Sequence, residues 1–95
     1  MTLMPAVSVI MAAYNGAEFL PATLATLQKQ TRGDFEIIVV DDRSTDHTLD
    51  VLRSWPDPRL RVIALEQNGG PVRARNRAVA EARGRYIAGL VQDEL

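Results

Sequence analysis

Two adjacent carboxylates, Asp41 and Asp42, stand where an apolar stretch of the chain ends abruptly. The preceding residues 37–40, IIVV, are rich in β-branched side chains and predict a strand that is covered on both faces. In open α/β sheets, ligands bind beyond the carboxyl ends of the strands. Carboxylates at that point can accept hydrogen bonds from bases and riboses, or ligate a metal. We expect at least one of the pair to contact a ligand; the alternative is that both only cap the next helix.

Two further polar pairs follow predicted strands and should lie at the same edge of the sheet, because parallel strands all end there. Tyr14 and Asn15 follow the first strand, and Asp93 and Glu94 follow the fourth. Their convergence predicts a site for a hard cation or a polyhydroxyl ligand. Oxygen ligands at a strand end suit Mg²⁺ or Mn²⁺. His47 is the only histidine, so we exclude a zinc site with several imidazoles and interpret His47 as an exposed first-turn residue.

The loop at residues 68–71, NGGP, leads into a predicted helix and has two interpretations. Its backbone N–H groups could bind a phosphate, or it could be a flexible turn before a helix that begins with proline. The loop matches neither the dinucleotide-binding nor the Walker A pattern. Within the helix, Arg73 and Arg77 share a face with Glu81, which predicts a solvated, salt-bridged surface. Arg75 points elsewhere, toward the edge of the site.

The elements that must position these residues alternate along the chain. Four apolar runs predict strands, at residues 6–13, 35–40, 59–65 and 86–91. Ser44 is predicted as the N-cap of the second helix. Val72, Val79 and Ala82 are predicted to form the buried face of the third helix, which Gly84 ends. Right-handed connections then predict an α/β fold: a Rossmann-like parallel sheet, β-α-β-α-β-α-β, with helices on both faces.

Composition limits the function classes that remain. The 95 residues suffice for one small domain. A net charge of −1 gives no attraction to nucleic acid or to an anionic membrane surface. The absence of cysteine excludes disulfides, thiolate metal sites and cysteine nucleophiles, and we find no membrane segment in this chain. The residues alone predict a nucleotide- or sugar-binding α/β domain with a divalent metal.

Four segments resemble, in order and spacing, the start of the family 2 glycosyltransferases: VSVIMAAYNG, LATLQKQT, FEIIVVDDRSTDHT and NGGPVRARNRAVAEARGRYIAGL. The resemblance extends from about Ala6 to Leu95. It implies the N-terminal half of a GT-A fold. It also implies an inverting transfer, in which an acceptor hydroxyl attacks the anomeric carbon of a nucleotide-diphosphate sugar. We expect a UDP-sugar as the donor, with Mg²⁺ or Mn²⁺ on the leaving diphosphate.

The resemblance also implies nucleotide-binding roles at matching positions. Tyr14 matches the first-strand loop that packs on the nucleotide base, and Ala12 is also expected to bind the nucleotide. Asp42 matches the carboxylate that bonds the base, and Asp41 lies beside it. Arg75 matches a residue that approaches the nucleotide.

The sequence departs from the family at the metal-binding motif and in its length. Asp93 matches the second aspartate of the family's DxD motif, which ligates the metal, but Val91 stands at the position of the first. The family's general base and acceptor-binding half are expected beyond Leu95. We therefore expect residues 1–95 to be one domain of a longer protein, and to be inactive alone. We expect a cytoplasmic location, with membrane association through other segments of the full-length protein.

Three expectations concern association and rival functions. Strands missing from the sheet would leave an open edge, which predicts a homo-oligomer. The alternative to an enzyme is a non-catalytic nucleotide-binding or interaction module of the same fold, and Val91 favours it. A third reading, a sugar-phosphate nucleotidyltransferase-like domain, is disfavoured because no Gly- and Arg-rich loop follows the first strand.

Overall fold

A computed structural model of the chain describes residues 5–29 and 34–91. These residues form alternating strands and helices: β1 (Val7–Ala13), α1 (Leu20–Gln28), β2 (Phe35–Asp41), α2 (Thr48–Ser54), β3 (Leu60–Ala64), α3 (Pro71–Glu81) and β4 (Tyr86–Val91). The strands make one parallel sheet in the order β3-β2-β1-β4. The predicted fold class and element order are confirmed. No helix within the described ranges is long and apolar enough to cross a bilayer.

Helices cover both faces of the sheet, as predicted. On one face, α1 and α2 contribute Leu20, Leu24 and Leu52 to a core shared with β1 and β2. On the other face, α3 contributes Ala74 and Ala78 to a second core. Every residue of β2 is buried. The central position of β2 between two helical layers therefore explains its unbroken apolar run.

The buried face of α3 differs from the prediction. Val72 is 72% exposed and Val79 is 43% exposed, whereas Ala74 and Ala78 have no exposed surface. Ala82 packs against the same core, as predicted. Ala74 and Ala78 are four residues apart and so lie on one face of the helix, and Ala82 follows at its C-cap. The prediction was wrong for the two valines because it followed the larger side chains rather than the helical spacing.

The start of α2 also differs from the prediction. The helix begins at Thr48, with His47 at the N-cap position, and not after Ser44. The Ser44 hydroxyl is bound instead to the carboxylate of Asp41 at the end of β2. Ser44 therefore belongs to the loop that follows the strand, and it does not cap the helix.

Gly84 does not end α3 by adopting a left-handed conformation. The helix ends at Glu81, and Ala82 at the C-cap is extended. A Cβ atom on residue 84 would lie 2.7 Å from the backbone nitrogen of Ser8 and 2.8 Å from its Oγ. Glycine is therefore required here because the connection from α3 to β4 passes directly against β1.

A buried carboxylate, Glu36, ties that same connection to the sheet. Its Oε2 accepts hydrogen bonds from the Ser8 hydroxyl at 2.6 Å and the Arg83 N–H at 2.7 Å. Its Oε1 accepts a hydrogen bond from the Arg61 guanidinium at 3.2 Å. Burial raises the pKa of Glu36, but these hydrogen bonds and the charge of Arg61 outweigh burial and hold the pKa below its ordinary value of 4.5. The ionised form of Glu36 therefore stabilises the fold.

Replacing Glu36 by glutamine is expected to lower the free energy of unfolding by about 1–3 kcal/mol at neutral pH, because charged hydrogen bonds are lost. The depressed pKa means that the contribution of Glu36 is present above pH 4.5 and is lost as the pH falls through the folded value. In urea unfolding at several pH values, Glu36→Gln should therefore lose less stability on acidification than the wild type. Glu18→Gln, at an exposed position, is the control. Equal acid sensitivity in wild type and Glu36→Gln would contradict the assignment.

Candidate nucleotide site

The loops that follow β1, β2 and β3 meet at the carboxyl edge of the parallel sheet, as open α/β sheets require. They enclose a cavity of about 410 Å³, which is within the usual range for small-molecule pockets. Three of the predicted site residues line it: Ala12, Tyr14 and Asp42. The remaining lining residues are Ala13, Asn68, Gly70 and Pro71. The sequence-predicted convergence at this edge is therefore present for the loops that the structure describes.

Asp42 joins the end of β2 to the loop before α3. Its Oδ1 accepts the Gly69 N–H and its Oδ2 accepts the Gly70 N–H, both at 2.9 Å. The Asn68 side-chain amide donates to the Asp42 carbonyl at 3.0 Å. The two glycine N–H groups that were considered as phosphate donors are thus directed at a carboxylate. Each carboxylate oxygen keeps a second lone pair, so Asp42 can still accept a hydrogen bond from a ligand.

Gly70 allows this contact because of its backbone conformation. Its φ is +90° and its ψ is 165°, a region that is open essentially to glycine alone. In this conformation its N–H is directed at Asp42, and the following residue, Pro71, begins α3. The sequence pattern identified this loop but not its binding to Asp42, because the two are more than twenty-five residues apart in the chain.

Asp41 does not line the cavity. Asp41 is only 2% exposed. Its Oδ1 accepts the Ser44 hydroxyl at 2.5 Å and its Oδ2 accepts the Ser44 N–H at 3.3 Å. The nucleotide contact predicted for Asp41 stays a prediction, and the carboxylate's own hydrogen bonds do not favour it.

Ala12 and Tyr14 form the β1 side of the cavity. Ala12 is the small residue next to last in the strand, and it leaves space above the sheet where a larger side chain would fill it. Tyr14 follows directly after the strand and is 45% exposed. An accessible aromatic ring at a cavity wall offers a flat apolar surface on which a base can stack.

Arg75 lies on the β4 side of the site rather than in the cavity wall. The central carbon of its guanidinium is 3.9 Å from the position that a Cβ atom on Gly89 would take. Arg75 therefore reaches over β4 at Gly89. Its predicted approach to a nucleotide stays a prediction.

The other charged residues of α3 behave as predicted. Arg73 and Arg77 share a face and line a second depression beside the end of β3. The Nε of Arg77 lies 3.9 Å from the Oε2 of Glu81, one turn further along the helix.

His47 is exposed, as expected, and its Nδ1 lies 3.5 Å from the Oδ2 of Asp50. Both this contact and that of Arg77 with Glu81 lie at the surface, where such pairs contribute little to stability.

The predicted metal ligand, Asp93, lies outside the described residues, as does Glu94. Within residues 5–29 and 34–91, no three histidine, cysteine, aspartate or glutamate side chains gather closely enough to hold a metal ion. The described carboxylates nearest the site, Asp41 and Asp42, are already engaged by hydrogen bonds within the protein. The metal contact predicted for Asp93 stays a prediction.

Comparisons with known proteins point in one direction. A family model described as glycosyl transferase family 2 matches residues 8–94. The chain is 42% identical over 91 residues to the UDP-Glc:alpha-D-GlcNAc-diphosphoundecaprenol beta-1,3-glucosyltransferase WfaP of Escherichia coli, covering 96% of this chain and 36% of that protein.

Solved structures of similar proteins carry nucleotide sugars. Staphylococcus aureus TarS in complex with UDP-GlcNAc is 37% identical with a TM-score of 0.87, over 92% of this chain and 26% of that one. The mannosyltransferase PcManGT from Pyrobaculum calidifontis, in complex with GDP-Man and Mn²⁺, is 30% identical with a TM-score of 0.89, over 99% of this chain and 29% of that one. The chain thus spans roughly a third or less of the length of these relatives.

Proposed function

The chain belongs to glycosyl transferase family 2, and from that premise we propose that it carries the donor-nucleotide half of a glycosyltransferase. The complete enzyme transfers a sugar from a nucleotide-diphosphate donor, a UDP-sugar, to an acceptor hydroxyl with inversion. Related proteins of the family are glycosyltransferases, and one has been solved with UDP-GlcNAc. In this proposal the general base and the acceptor site lie outside these 95 residues, because the chain covers only 36% of WfaP and 26% of the TarS chain.

The observation that carries the proposal is the cavity between Tyr14 and Asp42 at the carboxyl edge of the sheet. Tyr14 provides a surface for the base, and Ala12 leaves room beneath it. The Asp42 carboxylate accepts an N–H of the base with a lone pair that its loop contacts do not use. Arg75, over β4, supplies a cation that attracts the diphosphate.

A divalent cation, Mg²⁺ or Mn²⁺, is part of the proposal, with Asp93 as the residue of this chain that holds it. Such an ion would neutralise charge on the leaving diphosphate. Support comes from the related mannosyltransferase, which was solved with Mn²⁺. The proposed location is cytoplasmic, with membrane association through segments outside this chain.

Calorimetric titration of the 95-residue chain with UDP, with and without Mn²⁺, tests the proposal. We expect Mn²⁺ to strengthen UDP binding in the wild type, and we expect this enhancement to disappear in Asp93→Ala. Asp50→Ala is the matched control, because Asp50 is exposed on α2 and contacts His47, away from the cavity. Absence of UDP binding in a folded wild type would contradict a working donor site.

One observation favours a second candidate function, a non-catalytic nucleotide-binding or interaction module. Val91 stands where the family's first DxD aspartate is expected. A module of this kind would bind UDP with the same affinity whether or not Mn²⁺ is present, or would not bind UDP at all. The titration with Mn²⁺ therefore separates the two candidates.

Self-association is proposed because β3 and β4 are the outer strands of the described sheet. Unpaired strand edges offer backbone N–H and C=O groups to another chain. Sedimentation equilibrium is expected to show a homo-oligomer whose fraction grows with concentration. A monomer at the highest concentration would contradict it.

A further inference from the structure

Backbone N–H groups of the loop after β1 donate to side chains of the loop after β2 and of the first residue of α2. The Asn15 N–H donates to Ser44 Oγ at 2.9 Å, and the Gly16 N–H donates to Thr48 Oγ1 at 2.8 Å. The Ala17 N–H donates to Asp46 Oδ2 at 3.3 Å. Three consecutive backbone N–H groups, directly after Tyr14 in the cavity wall, therefore have acceptors in the segment from the end of β2 to the start of α2.

The side chain of Asn15 also binds the loop after β2. Its Oδ1 accepts the Thr45 N–H at 2.8 Å and the Thr45 hydroxyl at 3.3 Å. Its φ is +49°, in the left-handed region, where asparagine is among the more tolerant residues. The chain therefore turns sharply immediately after Tyr14, and the turn is held by hydrogen bonds from both the backbone and the side chain of Asn15.

The direction of each hydrogen bond is fixed by a carboxylate. An ionised carboxylate can only accept, so the Ser44 hydroxyl must donate to Asp41 and turn a lone pair toward the Asn15 N–H. The Thr48 hydroxyl donates to Asp46 in the same way and accepts the Gly16 N–H. The buried Asp41 is thereby connected through Ser44 to the residue next to Tyr14.

We propose that Asp41, Ser44 and Asn15 form a latch that positions Tyr14 at the nucleotide cavity, and that Asp41 serves the nucleotide through this latch and not by contact. The inference rests on the proposed function, because the latch matters only if Tyr14 meets a nucleotide. Asp41 and Ser44 are positioning residues. The two adjacent aspartates then have separate tasks: Asp42 faces the ligand and Asp41 holds the opposite wall.

A double-mutant cycle tests the latch. Ser44→Ala is expected to weaken UDP binding about three- to tenfold, the range of one lost hydrogen bond in a partly exposed site. In a Tyr14→Ala background the same substitution should change UDP affinity by less than about twofold, because it acts through the ring. Ser44→Thr, which keeps the hydroxyl, should restore binding. Ser54→Ala, at an exposed serine of α2 that donates to Val51, is the control.

A second cycle separates positioning from contact at Asp41. If Asp41 acts through Ser44, Asp41→Asn should add less than about a twofold loss in the Ser44→Ala background. If Asp41 contacts the nucleotide itself, Asp41→Asn weakens UDP binding equally in both backgrounds, and this result overturns the proposal. The proposal is also overturned if Ser44→Ala weakens UDP binding equally in the wild-type and Tyr14→Ala backgrounds. That pattern reflects a general loss of structure.

Amide spectra of the free protein keep the latch testable if the wild type fails to bind UDP. In that case the proposed function fails, but the latch still predicts that the Asn15 amide is protected from hydrogen exchange. It also predicts that Ser44→Ala shifts the Tyr14 resonances whereas Ser54→Ala does not. Unchanged Tyr14 resonances in Ser44→Ala would overturn the latch independently of nucleotide binding.

Discussion

Replacement of Asp42 by alanine is expected to weaken UDP binding about 10- to 100-fold, the largest functional effect of any single change proposed for this chain. A hydrogen bond to a charged group contributes about 1.5–3 kcal/mol, which corresponds to this range. The substitution also releases Gly69 and Gly70, whose N–H groups both depend on the Asp42 carboxylate. The loss therefore combines a ligand contact with disorder of the adjoining loop at Gly69 and Gly70.

Calorimetry with UDP measures this effect, at a temperature where the melting curve shows the variant to be folded. Asp42→Asn is expected to be intermediate, because its amide oxygen can accept one loop N–H while its NH₂ group faces the other donor. Asp50→Ala removes an exposed carboxylate from α2 and should bind UDP like the wild type. Wild-type affinity in a folded Asp42→Ala would contradict the role given to Asp42.

Replacement of Gly84 by alanine is expected to reduce the free energy of unfolding by about 3 kcal/mol, near the upper end for inserting an atom into a packed interior. The added Cβ would lie 2.7 Å from Ser8 N and 2.8 Å from the carbonyl carbon of Val7. These are backbone atoms of the central strand β1, so they cannot move without disturbing the sheet. The Gly84 N–H also donates to Ser8 Oγ at 2.8 Å, and Ser8 in turn donates to Glu36.

Urea unfolding measures the Gly84→Ala effect, with Gly89→Ala as the matched control. A Cβ on residue 89 would meet only the flexible guanidinium of Arg75, at 3.9 Å, which is an ordinary contact. Gly89→Ala should therefore stay within about 0.5 kcal/mol of the wild type. A similarly small effect for Gly84→Ala would show that the α3–β4 connection does not pass against β1 as described.

Much of the fold was predictable because its signals are local. The apolar run at residues 37–40 is buried on both faces, and β-branched side chains at such a density indicate a central parallel strand. The alternation of such runs with helical segments leaves few topologies once right-handed connections are assumed. The position of the site at the carboxyl edge follows from the topology alone.

The unpredicted features depend on contacts between distant parts of the chain. The sequence of two adjacent aspartates does not reveal which of them lines the cavity. That depends on how neighbouring strands and loops pack at the end of β2. Ser44 has the sequence character of a helix cap, but its hydroxyl is bound by Asp41. Gly69 and Gly70 have the character of a phosphate loop, but their N–H groups are bound by Asp42. In each case a carboxylate at or directly after the end of β2 accepts the hydrogen bond that local reasoning assigned elsewhere.

The central claim is that the cavity between Tyr14 and Asp42 binds the donor nucleotide. Titration of ¹⁵N-labelled protein with UDP, followed by amide chemical shifts, tests it most directly. We expect the largest shifts at Ala12, Tyr14, Asp42 and Gly70, with α2 unchanged. Shifts confined to the depression beside Arg73 and Arg77, or no shifts at saturating UDP, would contradict it.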